Sequence, residues 1–310
     1  MADAWSLYDR MIDEVPEDVL VREVVSGSHQ CLVDAECGVG VAALHRGGTR
    51  LRMRGGWAGR PLRELAALAR SWDFEVASVG MAALNAWHNQ PGRVAALGRV
   101  DDVAGTDPFA LMGSVAARMA AARGAAARVG ETRGGGARGD GTRGDEACGN
   151  GARPRAVVIG HFPRLGRLGE EAEVAVLERA ARSDDDLPDT ACEYLLPGCD
   201  VAVVTGMALE NKTMPRLLEL AGAPLCCVVG PTSTMCRPLL EAGADLVAGS
   251  LVADPELARE VVGCGAPLHG SGALEHVLVA GERGRAAIAA LGAGAGGAAA
   301  AGEAAGPGLR

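Results

Sequence analysis

The chain has 310 residues, a formal net charge of −9, 48% hydrophobic residues and 22% charged residues. This length predicts two domains, and the apolar content is sufficient for hydrophobic cores. The acidic balance argues against a nucleic-acid partner, because such a partner requires a basic surface that neutralises phosphates. No apolar run approaches the roughly 20 residues of a membrane span, and the charged N-terminus is not typical of a signal peptide. We therefore expect a cytoplasmic protein.

Residues 1–119 predict a small α+β domain. The pattern indicates an amphipathic helix and an acidic turn over residues 5–20, followed by three short strands at 20–25, 29–33 and 39–44. Pro61 then opens a helix, and a second helix runs from about residue 73 to residue 89. Strands that precede helices in this way are typical of an α+β unit.

The second of these helices has a distinctive surface pattern. It is apolar around most of its circumference, but polar or small residues recur at spacings of three and four: Glu75, Ser78, Ala82, Asn85 and Asn89. A solvated surface face explains such a stripe. On a helix that is apolar elsewhere, a face turned towards a cleft or a second domain explains it equally well.

Two segments have a composition that does not favour a packed core. Residues 120–153 are mainly Ala, Gly and Arg, and we predict a flexible linker there because such a segment buries little apolar surface. Its Arg-Gly content resembles that of RNA-binding tails, but no aromatic residue is interleaved, so the linker interpretation is favoured. The Ala-Gly run at residues 292–310 similarly predicts a disordered tail.

Residues 154–291 alternate between short apolar runs and helical segments. The predicted strands are 156–159, 173–177, 201–205, 225–229 and 245–248, with helices near 191–196, 213–221, 235–242 and 255–263. This alternation predicts an α/β domain with a doubly wound parallel sheet. Ligands of such sheets bind beyond the carboxyl ends of the strands, near the point where the strand order reverses.

Polar residues follow three of these strands. They are His161 after the first strand, Thr205, Asn211, Lys212 and Thr213 after the third, and Gly230, Pro231, Thr232 and Ser233 after the fourth. Hydroxyl and N–H groups at a helix N-terminus can hold a carboxylate or a phosphate, although helix capping also accounts for a hydroxyl there. Lys212 is the only lysine of the chain.

Several of these residues are candidate metal ligands. His161, Glu75 and Glu193 are the main candidates, with Asn85 and His29 as further ones. None of them belongs to a short-range ligand motif, so a metal site would be assembled from both domains. Imidazole and carboxylate groups suit a divalent transition metal. The nine cysteines lack a Cys-x-x-Cys spacing and are interpreted as buried, reduced thiols.

An enzymatic function is the alternative. In that case His161 would act as a general acid or base on a small anionic metabolite, while Lys212 or the hydroxyls of residues 232–234 would hold the anion. NAD(P) is not expected, because Gly160 is followed by His161 and Phe162 instead of a glycine-rich turn. A smaller nucleoside-like ligand stays open.

The sequence resembles a known two-domain family, that of heavy-metal chelation proteins. The resemblance rests on residues that are spread over most of the chain: Trp5, Tyr8, 16–18, 71–75, Gly80, 82–86, 160–163, 187–188, Ala191, Glu193, 196–197, Asp200, 211–213 and 230–233. It implies an enolase-N-terminal-like domain followed by a Rossmann-like domain. It also implies a site for a metal ion or a metal chelate at the domain interface. The partner would be a small molecule or a metal ion, and homo-oligomerisation is left open.

The resemblance and the polar residues together give one predicted interdomain site. Its metal ligands would be His161, Glu75 and Glu193, and the other ligand-binding residues would be Glu75, Asn85, Thr205, Asn211, Thr213, Gly230, Pro231, Thr232 and Ser233. If the protein is an enzyme, His161 and Lys212 would be catalytic.

Overall fold

The computed structural model describes residues 3–49, 55–105, 107–133, 153–162, 165–222 and 224–300. Two sheets organise these residues. The first contains β1 (Val21–Ser26), β2 (Gln30–Ala35) and β3 (Gly38–Ala43) in an antiparallel arrangement. The second sheet has seven strands. The predicted α/β architecture, with a small α+β unit before a doubly wound sheet, is confirmed.

Three helices accompany the first sheet. They are α1 (Ser6–Asp13), α2 (Leu62–Ala66), which continues as a 3-10 turn, and α3 (Phe74–His88). Helix α1 ends before Pro16, because proline cannot continue a helix and the residue before it is restricted. Helix α3 begins where the carboxylate of Asp73 accepts a hydrogen bond from the N–H of Val76 at 3.1 Å.

Helix α3 lies unusually close to β3. A Cβ atom added at Gly40 would lie 2.0 Å from the backbone nitrogen of Ala86 and 2.2 Å from the carbonyl oxygen of Ala82. Only glycine allows this approach. This contact therefore fixes the distance between the sheet and α3, which carries the polar stripe.

The second sheet comprises β4 (Arg155–Ile159), β5 (Glu173–Glu178), β6 (Leu187–Pro188), β7 (Val201–Thr205), β8 (Leu225–Val229), β9 (Leu246–Val252) and β10 (Leu274–Ala280). Their order is β10-β9-β8-β7-β4-β5-β6. The edge strand β10 runs antiparallel to β9, and the other pairs are parallel. From β6 to β9 this is the Rossmann order, which reverses between β4 and β7. His161 and Gly206 follow those two strands.

Ten further helices complete the described fold. They are α4 (Pro91–Leu97), α5 (Asp101–Ala104), α6 (Pro108–Arg133), α7 (Arg167–Glu171), α8 (Cys192–Leu195), α9 (Met207–Glu210), α10 (Met214–Leu220), α11 (Arg237–Glu241), α12 (Pro255–Gly263) and α13 (Glu282–Ala300). Helices α6, α7 and α13 cover one face of the second sheet. The core on its other face is continuous with the core of the first domain.

Two predicted segment boundaries differ from the structure. Helix α6 continues to Arg133 and so enters the segment 120–153 that was predicted as a linker. Alanine has the highest helix propensity, which explains how an Ala-rich stretch extends a helix that packs on the second sheet through Met112 and Val115. Helix α13 likewise continues to Ala300, beyond the predicted start of the tail. Residues 134–152 and 301–310 lie outside the described residues.

The first sheet is covered on both faces. One face packs against α3, and the other packs against α12 through Leu32, Val41 and Val262. Arg259 of α12 also binds the carboxylates of Glu23 and Asp34, at 2.7 and 2.6 Å. The first sheet therefore lies between α3 of its own domain and α12 of the second domain.

Two further features of the described chain concern membrane-spanning helices and the state of the cysteines. None of its helices is both long enough and apolar enough to cross a membrane. The cysteines that the structure describes are free, and buried ones among them are Cys31, Cys199, Cys226, Cys227 and Cys236. Burial raises the pKa of these thiols, for example that of Cys227 to about 12, so they stay protonated and unreactive.

Candidate functional site at the domain junction

Asn85, one of the two asparagines of the α3 stripe, faces the second domain. Its side-chain nitrogen donates to the carbonyl oxygens of Val41, at 2.8 Å, and Pro231, at 3.2 Å. Its oxygen accepts from the hydroxyl of Thr234 at 2.7 Å. The bonds with Pro231 and Thr234 join the two domains, and the bond to Val41 fixes the amide on β3.

Asn89, one turn further along, is used in the same way. Its nitrogen donates to the carbonyl oxygens of Ser233 and Ser250, and its oxygen accepts from the N–H of Met235 at 2.8 Å. Both asparagines are buried. Of the two interpretations of the stripe, the structure supports a face turned towards the second domain.

The hydrogen bonds of Asn85 and Asn89 with the second domain form what we call the seam. A buried carboxylate lies beside this seam. Glu210, the last residue of α9, has no exposed surface. Its Oε1 accepts from the hydroxyl of Thr232 at 3.2 Å, and that hydroxyl accepts from the N–H of Ala43 at 2.9 Å. Thr232 therefore connects the end of β3 to Glu210.

His45 brings an imidazole to the same carboxylate from the first domain. Its Nδ1 lies 3.5 Å from Oε2 of Glu210. Both atoms are buried, and apart from this long contact with each other neither has a hydrogen-bond partner among the described residues. The ring packs against Phe74 at 5.0 Å between centroids, and the N–H of His45 donates to the hydroxyl of Ser78 at 3.0 Å. With its side chain 20% exposed, His45 marks the edge of the junction.

Lys212 places a cation at the junction. Its Nζ lies 5.6 Å from the ring centroid of Tyr8 and 6.0 Å from that of Phe74, and it donates to the carbonyl oxygen of Glu210. Among the described residues other than glycine, Lys212 alone has a positive φ, of 70°. A long side chain rarely adopts this conformation, and such strain is concentrated at functional sites.

Burial determines the charge state of this cluster. It raises the pKa of Glu210 to about 7, against the opposing effects of His45, Thr232 and Lys212. It lowers the pKa of Lys212 to about 8, which the charge of Glu210 opposes. Both groups therefore exchange protons near neutral pH, as functional groups in enzymes and binding sites often do.

Four of the predicted site residues lie in a separate cleft at the ends of β4, β5 and β7. The cleft has a volume of about 300 Å³, and Thr205, Asn211, Thr213 and Glu193 line it. The Oδ1 of Asn211 accepts from both the N–H and the hydroxyl of Thr213, at 3.1 and 2.6 Å. Glu210 is not among the residues that line this cleft, although its neighbour Asn211 is.

The three predicted metal ligands each have a different charged neighbour. Glu75 is 55% exposed on its side chain and lies 3.6 Å from Arg46. Glu193 is held by two bonds from Arg216, and His161 lies 3.8 Å from Asp186. Within the described ranges, no group of three or more His, Cys, Asp and Glu side chains could hold a metal ion.

The remaining predicted residues lie at the junction. Gly230, with a φ of +124°, begins the loop that carries Pro231, Thr232 and Ser233 against α3. Pro163, which belongs to the motif after β4, lies outside the described residues. The predicted site residues thus lie in different places. Some lie at the junction, others lie in the strand-end cleft, and Glu75 and His161 each lie apart from both.

Sequence reasoning missed the two residues at the centre of the junction, His45 and Glu210. Weak signals were present. Glu210 is the one charged residue in the segment 207–210, directly before the Asn-Lys-Thr motif, and His45 directly follows a predicted strand. Neither signal indicates that the two side chains meet.

The fold and the junction define a class of two-domain α/β proteins, in which a small antiparallel domain docks on a Rossmann-type domain through buried polar residues. The chain belongs to the family described as "Putative heavy-metal chelation". One family model of that description matches residues 8–88, and a second matches residues 147–273.

Solved structures support this assignment. A protein of unknown function of the same family from Desulfitobacterium hafniense DCB-2 is 27% identical, with a TM-score of 0.70, over 90% of this chain and 98% of that one. A family member from Pyrococcus horikoshii, also of unknown function, is 18% identical with a TM-score of 0.65, over 90% and 100%. The latter supports the fold alone. No curated protein matches the chain.

Proposed function

We propose that this protein binds a divalent metal ion at the domain junction, as a chelate with a small anionic molecule. The observation that carries the proposal is the pair formed by Nδ1 of His45 and Oε2 of Glu210. Both atoms are buried, neither has a partner in the described chain other than this long contact with each other, and each is a metal-ligating atom. The heavy-metal chelation description of the family points in the same direction.

The separation of the two atoms suits a shared metal ion. Two ligands at about 2.1 Å from a tetrahedral zinc ion lie about 3.4 Å apart, and the observed distance is 3.5 Å. A direct hydrogen bond is normally shorter, near 2.9 Å. Imidazole and carboxylate together suit zinc and other borderline first-row ions.

A chelate explains the small number of protein ligands. Because no group of three or more His, Cys, Asp and Glu side chains converges within the described ranges, water or a small molecule must complete the coordination. The ammonium group of Lys212 is near Glu210 and would pair with an anionic group of that molecule. The Thr232 hydroxyl would keep the second oxygen of Glu210 oriented, as hydrogen-bonded neighbours do for metal-binding carboxylates.

Isothermal titration of metal-free protein with zinc, nickel, copper and iron(II), alone and with one equivalent of citrate, tests the proposal. We expect one ion per chain, and a loss of affinity of about 100-fold in both His45→Ala and Glu210→Gln, as for loss of a ligand. The double variant should be little weaker than the singles, because ligands of one ion act as a unit. Lys212→Met should reduce only the gain from citrate.

Matched controls are available in the originally predicted ligands. His161→Ala and Glu75→Gln remove an imidazole and a carboxylate outside the junction, and we expect the affinity of both variants to match that of the wild type. Metal binding that depends on His161 and Glu75 but not on His45 would contradict the proposal. It would support the metal ligands that were predicted from the sequence.

A second candidate function is proton transfer on a small anionic metabolite. The pKa of Glu210, near 7, favours it, because a general base works best when its pKa is near the operating pH. In this case His45 and Glu210 would carry the proton, and Lys212 would hold the anion. Absence of metal binding in the titration above would favour this function.

A further inference from the structure

We propose that the strand-end cleft is a second site, which binds a neutral nucleoside through its ribose and its base. This site is distinct from the junction, because His45, Glu210 and Lys212 are not among the residues that line the cleft. The cleft lies at the reversal of strand order between β4 and β7, lined there by Gly160 and Thr205. Open α/β sheets bind their ligands at this point.

Apolar residues line much of the cleft. They are Ile159 and Leu177, at the ends of β4 and β5, and Ala208 and Leu217, in α9 and α10. Such residues can pack against the ring of a base. Small-molecule sites are typically lined by such apolar surfaces with a few polar groups that orient the ligand.

The charges of the cleft disfavour phosphate. Arg179 binds Asp189 at 2.9 Å, and Arg216 binds Glu193 at 2.6 and 2.9 Å, so both lining cations are already neutralised. Glu178 is the remaining charged residue among those that line the cleft. A negative excess repels a nucleotide phosphate but accepts a neutral molecule that carries hydrogen-bond donors.

Two groups provide polar recognition. The carboxylate of Glu178, at the end of β5, accepts from the N–H of Arg179 through Oε1, and no described residue donates to its Oε2. An acid at the end of the second strand is the group that accepts the ribose hydroxyls in Rossmann-type sites. The side-chain bonds of Asn211 with Thr213 use Oδ1 as the acceptor, which leaves the Nδ2 group to donate to a base.

The size of the cleft limits the ligand. About 300 Å³ is at the lower end of small-molecule pockets, which is enough for a nucleoside but small for a dinucleotide. His161 and Phe162 follow Gly160 where a pyrophosphate would require a glycine-rich turn. The ring of Phe162 is further held by Phe109, at 5.0 Å between centroids.

Titration calorimetry with adenosine, guanosine, cytidine and uridine tests this site. We expect at least one of them to bind at submillimolar concentration, with a loss of at least tenfold for its 2′-deoxy form, because the partner of the missing hydroxyl is left unsatisfied. Glu178→Ala should weaken binding by at least tenfold. Glu173→Ala, at the exposed start of the same strand, is the matched control and should bind like the wild type. NAD should give no thermal shift at millimolar concentration.

Three outcomes would overturn the inference: no binding by any of the four nucleosides at millimolar concentration, full binding by Glu178→Ala, or equal affinity for ribose and deoxyribose forms. Retained helix content and an unchanged melting temperature in Glu178→Ala establish that a loss of binding is local. The zinc titration of the junction is unaffected by each of these results, so the two sites fail or succeed separately.

Discussion

Replacement of Asn89 by alanine is expected to lower the free energy of unfolding by about 4 kcal/mol, the largest effect that we predict for a single side chain. The substitution removes three hydrogen bonds at once. The carbonyl oxygens of Ser233 and Ser250 lose their donor, and the N–H of Met235 loses its acceptor. Each buried polar group left without a partner costs about 1–3 kcal/mol. Urea denaturation followed by circular dichroism measures the difference.

Gln90→Ala is the matched control for this prediction. Gln90 follows Asn89 directly and donates to the carbonyl oxygen of Ala86 within the first domain, so its loss should cost about 1 kcal/mol or less. Equal, small costs for both substitutions would show that water replaces the Asn89 bonds and that the seam contributes little to domain docking.

The stability of metal-free protein should depend on pH through Glu210. Its pKa is about 7 in the folded protein and near its ordinary value of 4.5 in the unfolded chain, so the folded state binds the additional proton between these values. Its contribution to stability is therefore full below pH 4.5 and is lost as the pH rises through 7. The loss is on the order of 3 kcal/mol, at about 1.4 kcal/mol for each unit of pKa difference.

Glu210→Gln removes this titration, and the comparison isolates it. Between pH 5 and pH 7.5, we expect the variant to gain about 2–3 kcal/mol of unfolding free energy relative to the wild type, measured with EDTA present. This range lies below the pKa of Lys212, whose loss of charge acts in the opposite direction above pH 8. Glu75→Gln, which removes an exposed carboxylate, is the control. Parallel pH profiles for all three proteins would mean that Glu210 is not buried as described.

Local patterns in the sequence were sufficient for most of the secondary structure. The β-branched runs of 156–159 and 201–205 predicted buried parallel strands, and these form β4 and β7 at the centre of the second sheet. The helix predicted near 255–263 forms α12, at whose start the carboxylate of Asp254 accepts from the N–H of Leu257. Such signals are local, because capping, proline geometry and hydrophobic periodicity act within a few residues.

Features that depend on packing were predicted less well. The Ala-rich segment after Met119 was interpreted as a linker, whereas α6 continues to Arg133 on the second sheet. The antiparallel edge strand β10 was not predicted, because Glu275 and His276 near its start are exposed and its pairing with β9 is a property of the assembled sheet. For α6 the high helix propensity of alanine accounts for the difference, whereas for β10 the contacts of the assembled sheet add to a weak local preference.

The composition of the sequence and its motifs established the class of the protein: an acidic two-domain α/β chain with polar residues at the ends of its strands and along one helix. Docking of the domains determined which of those residues meet. Asn85 and Asn89 bind the second domain and form the seam. Glu75 lies at the surface beside Arg46, and His45 contacts Glu210. The physical reason is that these residues are far apart in the sequence. Nδ1 of His45 and Oε2 of Glu210 belong to different domains and come within 3.5 Å of each other only after both cores have formed.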